Sequence, residues 1–115
     1  MDSILDSVKR MLGIDEHYEA FDEEIIMNIN AVFMILRQMG CGPASGFSIT
    51  GNSEMWSDYI SDISLLECIK PYVYQKVRST WDPPSSSITM NALSSSIQEL
   101  EWRIYCETNP TGAWG

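Results

Sequence analysis

The sequence predicts an all-α fold, a small bundle of four to five helices with a long glycine-rich loop between the second and third. Three observations predict it. Apolar residues recur every three or four positions over most of the chain, the period of one helix face. The periodic runs stop at helix-ending residues, namely Gly13, Gly40 and Asp82-Pro83-Pro84. No stretch sustains the alternation of a strand, and no segment repeats.

The first helix is expected over Asp2–Leu12, with Ile4, Leu5, Val8, Met11 and Leu12 at helical spacing. Asp2 or Ser3 can cap it by accepting from free backbone N–H groups. Lys9 and Arg10 suit its negative C-terminal end, and Gly13 stops it. Asp15 to Glu24 holds six carboxylates, of which Asp22, Glu23 and Glu24 open a second helix over Glu23–Met39. Ile25, Ile26, Ile29, Val32, Phe33 and Leu36 make this the strongest periodic signal in the chain.

From Cys41 to Ser53 the chain is rich in Gly, Pro and Ser, a loop in which Phe47-Ser48-Ile49 can be briefly extended. Long loops without regular structure are often functional. Ser53 to Ile60 reads as one or two helical turns with an aromatic face. Asp62 or Ser64 then starts a helix with Leu65, Leu66, Ile69, Val73 and Val77 on one stripe. Pro71 lies inside it, lacks a backbone donor and clashes with the preceding turn, which predicts a kink near Glu67–Lys70 or a break into two helices. Pro83 ends this helix by Trp81. Ser85, Ser86 and Ser87 offer caps for a last helix over Ile88–Glu107, whose stripe is Leu93, Ile97, Leu100 and Ile104. Residues 1–107 are expected to form a single domain, and 108–115 a flexible tail.

The bulk properties narrow the function. A chain of 115 residues is the size of one domain, and 44% hydrophobic content is enough for one core. Sixteen Asp and Glu against seven Lys and Arg give a formal charge of -9. The cations are scattered, so neutralisation of a nucleic-acid backbone is not expected, nor is sequence-specific nucleic-acid binding. The three cysteines, Cys41, Cys68 and Cys106, are widely spaced and lack a C-x-x-C pair, as reduced thiols of a cytoplasmic protein would be. The N-terminus has no signal-peptide pattern, and no apolar run reaches the roughly 20 residues of a membrane span.

No chemistry-bearing constellation emerges. His17 is the only histidine and has no Cys or second His at ligand spacing, so neither a metal nor another cofactor is expected. Asp22, Glu23 and Glu24 are explained by helix initiation rather than by acid–base catalysis. Gly40 to Gly46 lacks the lysine and the order of a phosphate loop. Cys41 has no histidine near it in sequence, and the serine runs lack a nucleophile elbow. The reading is that of a protein without enzymatic activity. Aromatic residues are abundant by contrast, and such residues are enriched at interfaces. The candidate interface residues are Phe47, Ile49, Trp56, Tyr59, Tyr74 and Trp102, the last two because they fall off their helices' core stripes.

A family resemblance is carried by the order of several fragments. These are Met11-Leu12-Gly13, Phe21 to Ile26, Asn28 to Leu36, Gly40-Cys41-Gly42-Pro43 and Gly46-Phe47, then Trp56-Ser57-Asp58, Tyr72 to Arg78, Asp82-Pro83-Pro84 and Glu99 to Arg103. In this order they resemble the head–tail connector (head-completion adaptor) proteins of siphophages and of prophages in Gram-positive bacteria, over about Ser3 to Ile104. The chain departs from that pattern at Pro71, where a helix-favouring residue is expected.

The resemblance implies a structural subunit of the virion neck, made in the bacterial host cytoplasm. It implies a homo-oligomeric ring, usually twelve-fold, below the portal protein. Such a ring extends the DNA channel and docks the next neck or head-closure protein. No catalytic residue carries over. Head-to-tail ring assembly needs two different complementary patches on each subunit, and an acidic ring presents negative charge to DNA in transit. A competing reading, permitted by the charge alone, is a small acidic helical module that inhibits or binds a basic partner protein.

Overall fold

The computed structural model describes residues 3–108. Five helices lie among them: α1 (Ile4–Met11), α2 (Asp22–Gln38), α3 (Trp56–Tyr59), α4 (Ile63–Trp81) and α5 (Ser87–Thr108). The expected all-α bundle is the observed one, with the glycine-rich loop running between α2 and α3. The expectation for Asp2 as a cap falls outside the described residues, as does the flexible tail expected over 108–115 apart from Thr108, which ends α5.

Local sequence explains the helix ends. The Ser3 hydroxyl accepts from the Asp6 N–H and caps α1. After α1, Gly13 (φ +82°) donates to the Arg10 carbonyl and Ile14 to the Lys9 carbonyl. After α2, Gly40 (φ +88°) donates to Arg37 and Cys41 to Leu36. Both are Schellman endings, in which the left-handed residue lets two following N–H groups satisfy the last carbonyls. Asp62 caps α4 by accepting from Leu65 N–H, and Ser86 Oγ accepts from Thr89 N–H near the start of α5.

Packing is organised around α4, which touches α1, α2 and α5, while α1 also lies on α2. The molecule measures 45 × 36 × 20 Å, a slab about two helices thick. One hydrophobic cluster draws on every helix and on the loop. Its fully buried members include Ile4, Ile25, Ile29, Leu36, Ile69, Val73, Val77 and Ile104. The stripes read from α1, α2 and α5 face this cluster except Met11, which is exposed, and Leu93 and Leu100 pack at its margin.

Pro71 does not break its helix. The chain stays helical from Ile63 to Trp81, which excludes the break, one of the two expected outcomes. A helix-interior proline costs about 3 kcal/mol. Ile69, Tyr72, Val73 and Val77 lie on both sides of it and are fully buried, so core packing holds the two halves in register. The carbonyl that loses its donor belongs to Glu67, an exposed residue at which water can hydrogen-bond in its place.

The loop between α2 and α3 is built into the core. Asn30 of α2 clasps its backbone. The Asn30 amide donates to the Ile49 carbonyl at 3.0 Å, and its oxygen accepts from the Ile49 N–H at 2.8 Å. That clasp buries the Ile49 side chain. Gly42 has φ +85°, and a Cβ there would lie 2.7 Å from the Tyr59 ring, so only glycine fits. The loop ends by pairing with the start of α1, where Ile4 N–H donates to the Glu54 carbonyl.

Candidate functional site

Three of the expected interface residues lie largely inside the subunit. Ile49, Trp56 and Tyr59 are buried, at 2%, 4% and 5% exposure. Phe47 is half-buried and packs against the same core. The rings gather around Phe33 of α2. Tyr59 stands 4.6 Å from it between centroids, Phe47 5.2 Å and Trp56 6.4 Å, in tilted or edge-on geometry. The polar tips find partners. Trp56 Nε1 donates to Ser7 Oγ at 2.9 Å, and the Tyr59 hydroxyl donates to Cys41 Sγ at 3.5 Å. Burial, with the Tyr59 contact in opposition, pushes the Cys41 thiol upward, and burial with Cys41 beside it pushes the Tyr59 phenol upward too. These residues form a structural aromatic box. The short helix and the loop that carry them have no stripe of their own, which is why spacing alone left them unassigned.

Tyr74 and Trp102 lie nearer the surface. Trp102 is 51% exposed on α5. Tyr74 is half-buried and lines a groove between α1 and α4. This groove has a volume of about 280 Å³, with walls of Val8, Met11, Trp56, Pro71 and Tyr74. A second hollow of about 470 Å³ adjoins it, lined by Met55, Ile60, Ile63 and Leu66. Trp56 and Lys70 line both, so the two hollows adjoin at this pair of side chains, one on either side of it. The Lys70 ammonium lies 5.9 Å from the Trp56 ring centroid, an outlying cation–π contact.

A different surface surrounds the turn between α1 and α2. Tyr18 (51% exposed) meets Phe21 edge-on at 5.5 Å, and Phe21 meets Trp81 at 5.2 Å. Exposed Asp15, Glu19, Glu23 and Glu24 rim this ladder. Beneath it lies Lys9, whose side chain is fully buried. Its ammonium donates to the carbonyls of Glu16 at 3.0 Å and Tyr18 at 2.7 Å, and stands 2.8 Å from Asp22 Oδ1. Sequence reasoning counted Lys9 among scattered cations. The signal that identifies it is its place one turn after Leu5, on the buried face of α1.

Large apolar side chains are also exposed on the outer faces of α2 and α5, notably Met27, Met34 and Ile88. Among the described residues no group of three His, Cys, Asp or Glu could hold a metal ion. His17 is exposed, its N–H donating to the Asp15 carboxylate. No described helix is long and apolar enough to cross a membrane.

A family model described as phage connector protein matches residues 4–111, nearly the whole chain. The chain belongs to the phage connector family. No curated protein and no solved structure matches it. A phage connector is a structural protein that works in association with other head and tail proteins.

Proposed function

We propose that the protein is a neck component that assembles as a ring below the portal protein, usually twelve-fold, and joins the DNA-filled head to the tail. The observation that carries this reading is the family match over residues 4–111. The structure is compatible with it in two respects. A slab 20 Å thick leaves much of each subunit available to neighbours. Exposed apolar side chains lie on several elements rather than on one, as a subunit with two ring neighbours and two axial partners requires. Tyr74 and Trp102 are proposed among the residues that meet those partners. The charge of -9 would repel DNA phosphate and keep a channel wall from binding its cargo.

The test is genetic and structural together. In a phage carrying this gene, a nonsense mutation is expected to yield DNA-filled heads and separate tails. Complementation with a tagged copy is expected to restore joined particles with the tag at the neck. Complete infectious particles lacking the protein would defeat the proposal, and would favour a small acidic module acting on a basic partner. A channel wall free of Asp and Glu in an imaged neck would remove the electrostatic part alone.

A further inference from the structure

We propose that the Lys70 groove receives the acidic aromatic turn around Tyr18 and Phe21 of a second copy of this chain, so that one subunit's turn enters the next subunit's groove. The proposal deepens the ring reading and rests on it. Three observations lead to it.

The first is the state of the cations. Among the described residues Lys9 is held by Asp22, Arg10 pairs with Glu16, Lys76 lies 3.7 Å from Glu101, and Arg103 pairs with Glu99. Lys70, like Arg37 and Arg78, pairs with no carboxylate among those residues; it is exposed and lies against the Trp56 ring. It stands at the junction of two apolar hollows. A groove of this kind suits a segment bearing both an apolar side chain and a carboxylate, because an ammonium stands beside an apolar wall.

The second is that the chain displays such a segment. Tyr18 and Phe21 are exposed and are flanked by Glu19 and Glu23. The turn is pre-organised by Lys9 from below and Trp81 from the side, so presenting it costs little ordering entropy. The third is charge. At -9 per subunit, two copies repel unless a local pair of opposite sign sets their approach. Lys70 against the Glu19 region is such a pair.

The two surfaces are different patches of one molecule. Trp81 lies eleven residues beyond Lys70 on α4, about 16 Å along the axis at 1.5 Å per residue. A groove cannot therefore be occupied by its own turn in the described conformation. The contact is heterologous, the type that builds rings.

Sedimentation velocity on the full chain, from micromolar to millimolar at low salt, tests this. Wild type is expected to self-associate, and added salt to weaken the association. K70E and E19K are each expected to weaken it at least tenfold. Y18A removes the aromatic and is expected to do the same. An equimolar mixture of K70E and E19K should recover association, because the turn of K70E and the groove of E19K are both native. All three sites are exposed, so unchanged circular dichroism melts will confirm intact folding. Wild-type association by K70E, failure of the mixture to recover, or a strictly monomeric wild type overturns the proposal. Particles joined normally by a K70E chain would overturn the docking alone and leave the neck function standing.

Discussion

Replacing Lys9 by methionine tests whether the acidic turn is held from below. Methionine keeps most of the buried stem and removes the ammonium. Two backbone carbonyls, of Glu16 and Tyr18, then lose a donor that reached them at 3.0 and 2.7 Å. A buried polar group left unsatisfied costs about 1–3 kcal/mol. The Asp22 carboxylate loses its partner too; its Oδ1 is buried although the side chain as a whole is 27% exposed, so this loss adds to the cost. Extra apolar burial by the thioether offsets part of the loss. The net expectation is about 3 kcal/mol of destabilisation. For a chain of 115 residues this lowers the melting midpoint by about 12 °C, at about 4 °C per kcal/mol. Urea denaturation followed by circular dichroism measures the free energy, and limited proteolysis reports on the turn itself. D22N should cost less than K9M, because the two carbonyls keep their donor. A K9M loss below about 1 kcal/mol, with cleavage between Asp15 and Phe21 no faster than in wild type, would refute the reasoning.

P71A restores an N–H for the Glu67 carbonyl and is expected to stabilise the fold by about 2 kcal/mol, the helix gain less the entropy that alanine returns to the unfolded chain. A lowered melting midpoint would show that the Pro71 ring contributes more as groove wall than it costs as helix former. Alkaline pH is expected to destabilise the protein. Burial, and then the hydrogen bond to Glu101, holds the Tyr72 phenol above its ordinary 10.0, and Tyr59 is likewise raised. Above pH 10 the unfolded state therefore releases protons that the native state keeps, so stability is full below pH 10 and falls beyond it. Y72F should flatten part of that fall in a series of melts. A wild-type midpoint independent of pH from 9 to 11 would contradict it.

Helix positions were legible because two local signals agreed. Apolar spacing marked the faces of α1, α2 and α5, and Gly13 and Gly40 marked ends at which a positive φ is needed. The observed limits of α2, Asp22 and Gln38, differ by one residue from the expected Glu23 and Met39. At Pro71 the sequence left a kink and a break both open, and the burial of Tyr72 and Val73 on its far side accords with the unbroken helix. Spacing could not place Trp56 and Tyr59 in the core, because a four-residue helix shows no face. Asn30 carried no signal, since its role is to meet a backbone 19 residues away. Lys9 is a residue type that usually lies outside. The groove could not be read at all, since α1, α3 and α4 meet there only after folding.

The clasp by Asn30 and the ring contact between Phe33 and Tyr59 bear on how fast the chain can reach this state. Helices form in about a microsecond from neighbours in sequence. The aromatic box instead requires residues 33 and 59 to meet, closing a segment of 26 residues. The length-dependent part of that closure is about 3 kcal/mol. It must be met before any of the ring contacts is gained, so α1, α2 and α4 can dock only loosely until the loop arrives. A subunit released early from that wait would expose its apolar faces while other copies are nearby. The timing of loop closure, rather than helix formation, then decides whether subunits assemble in order or aggregate.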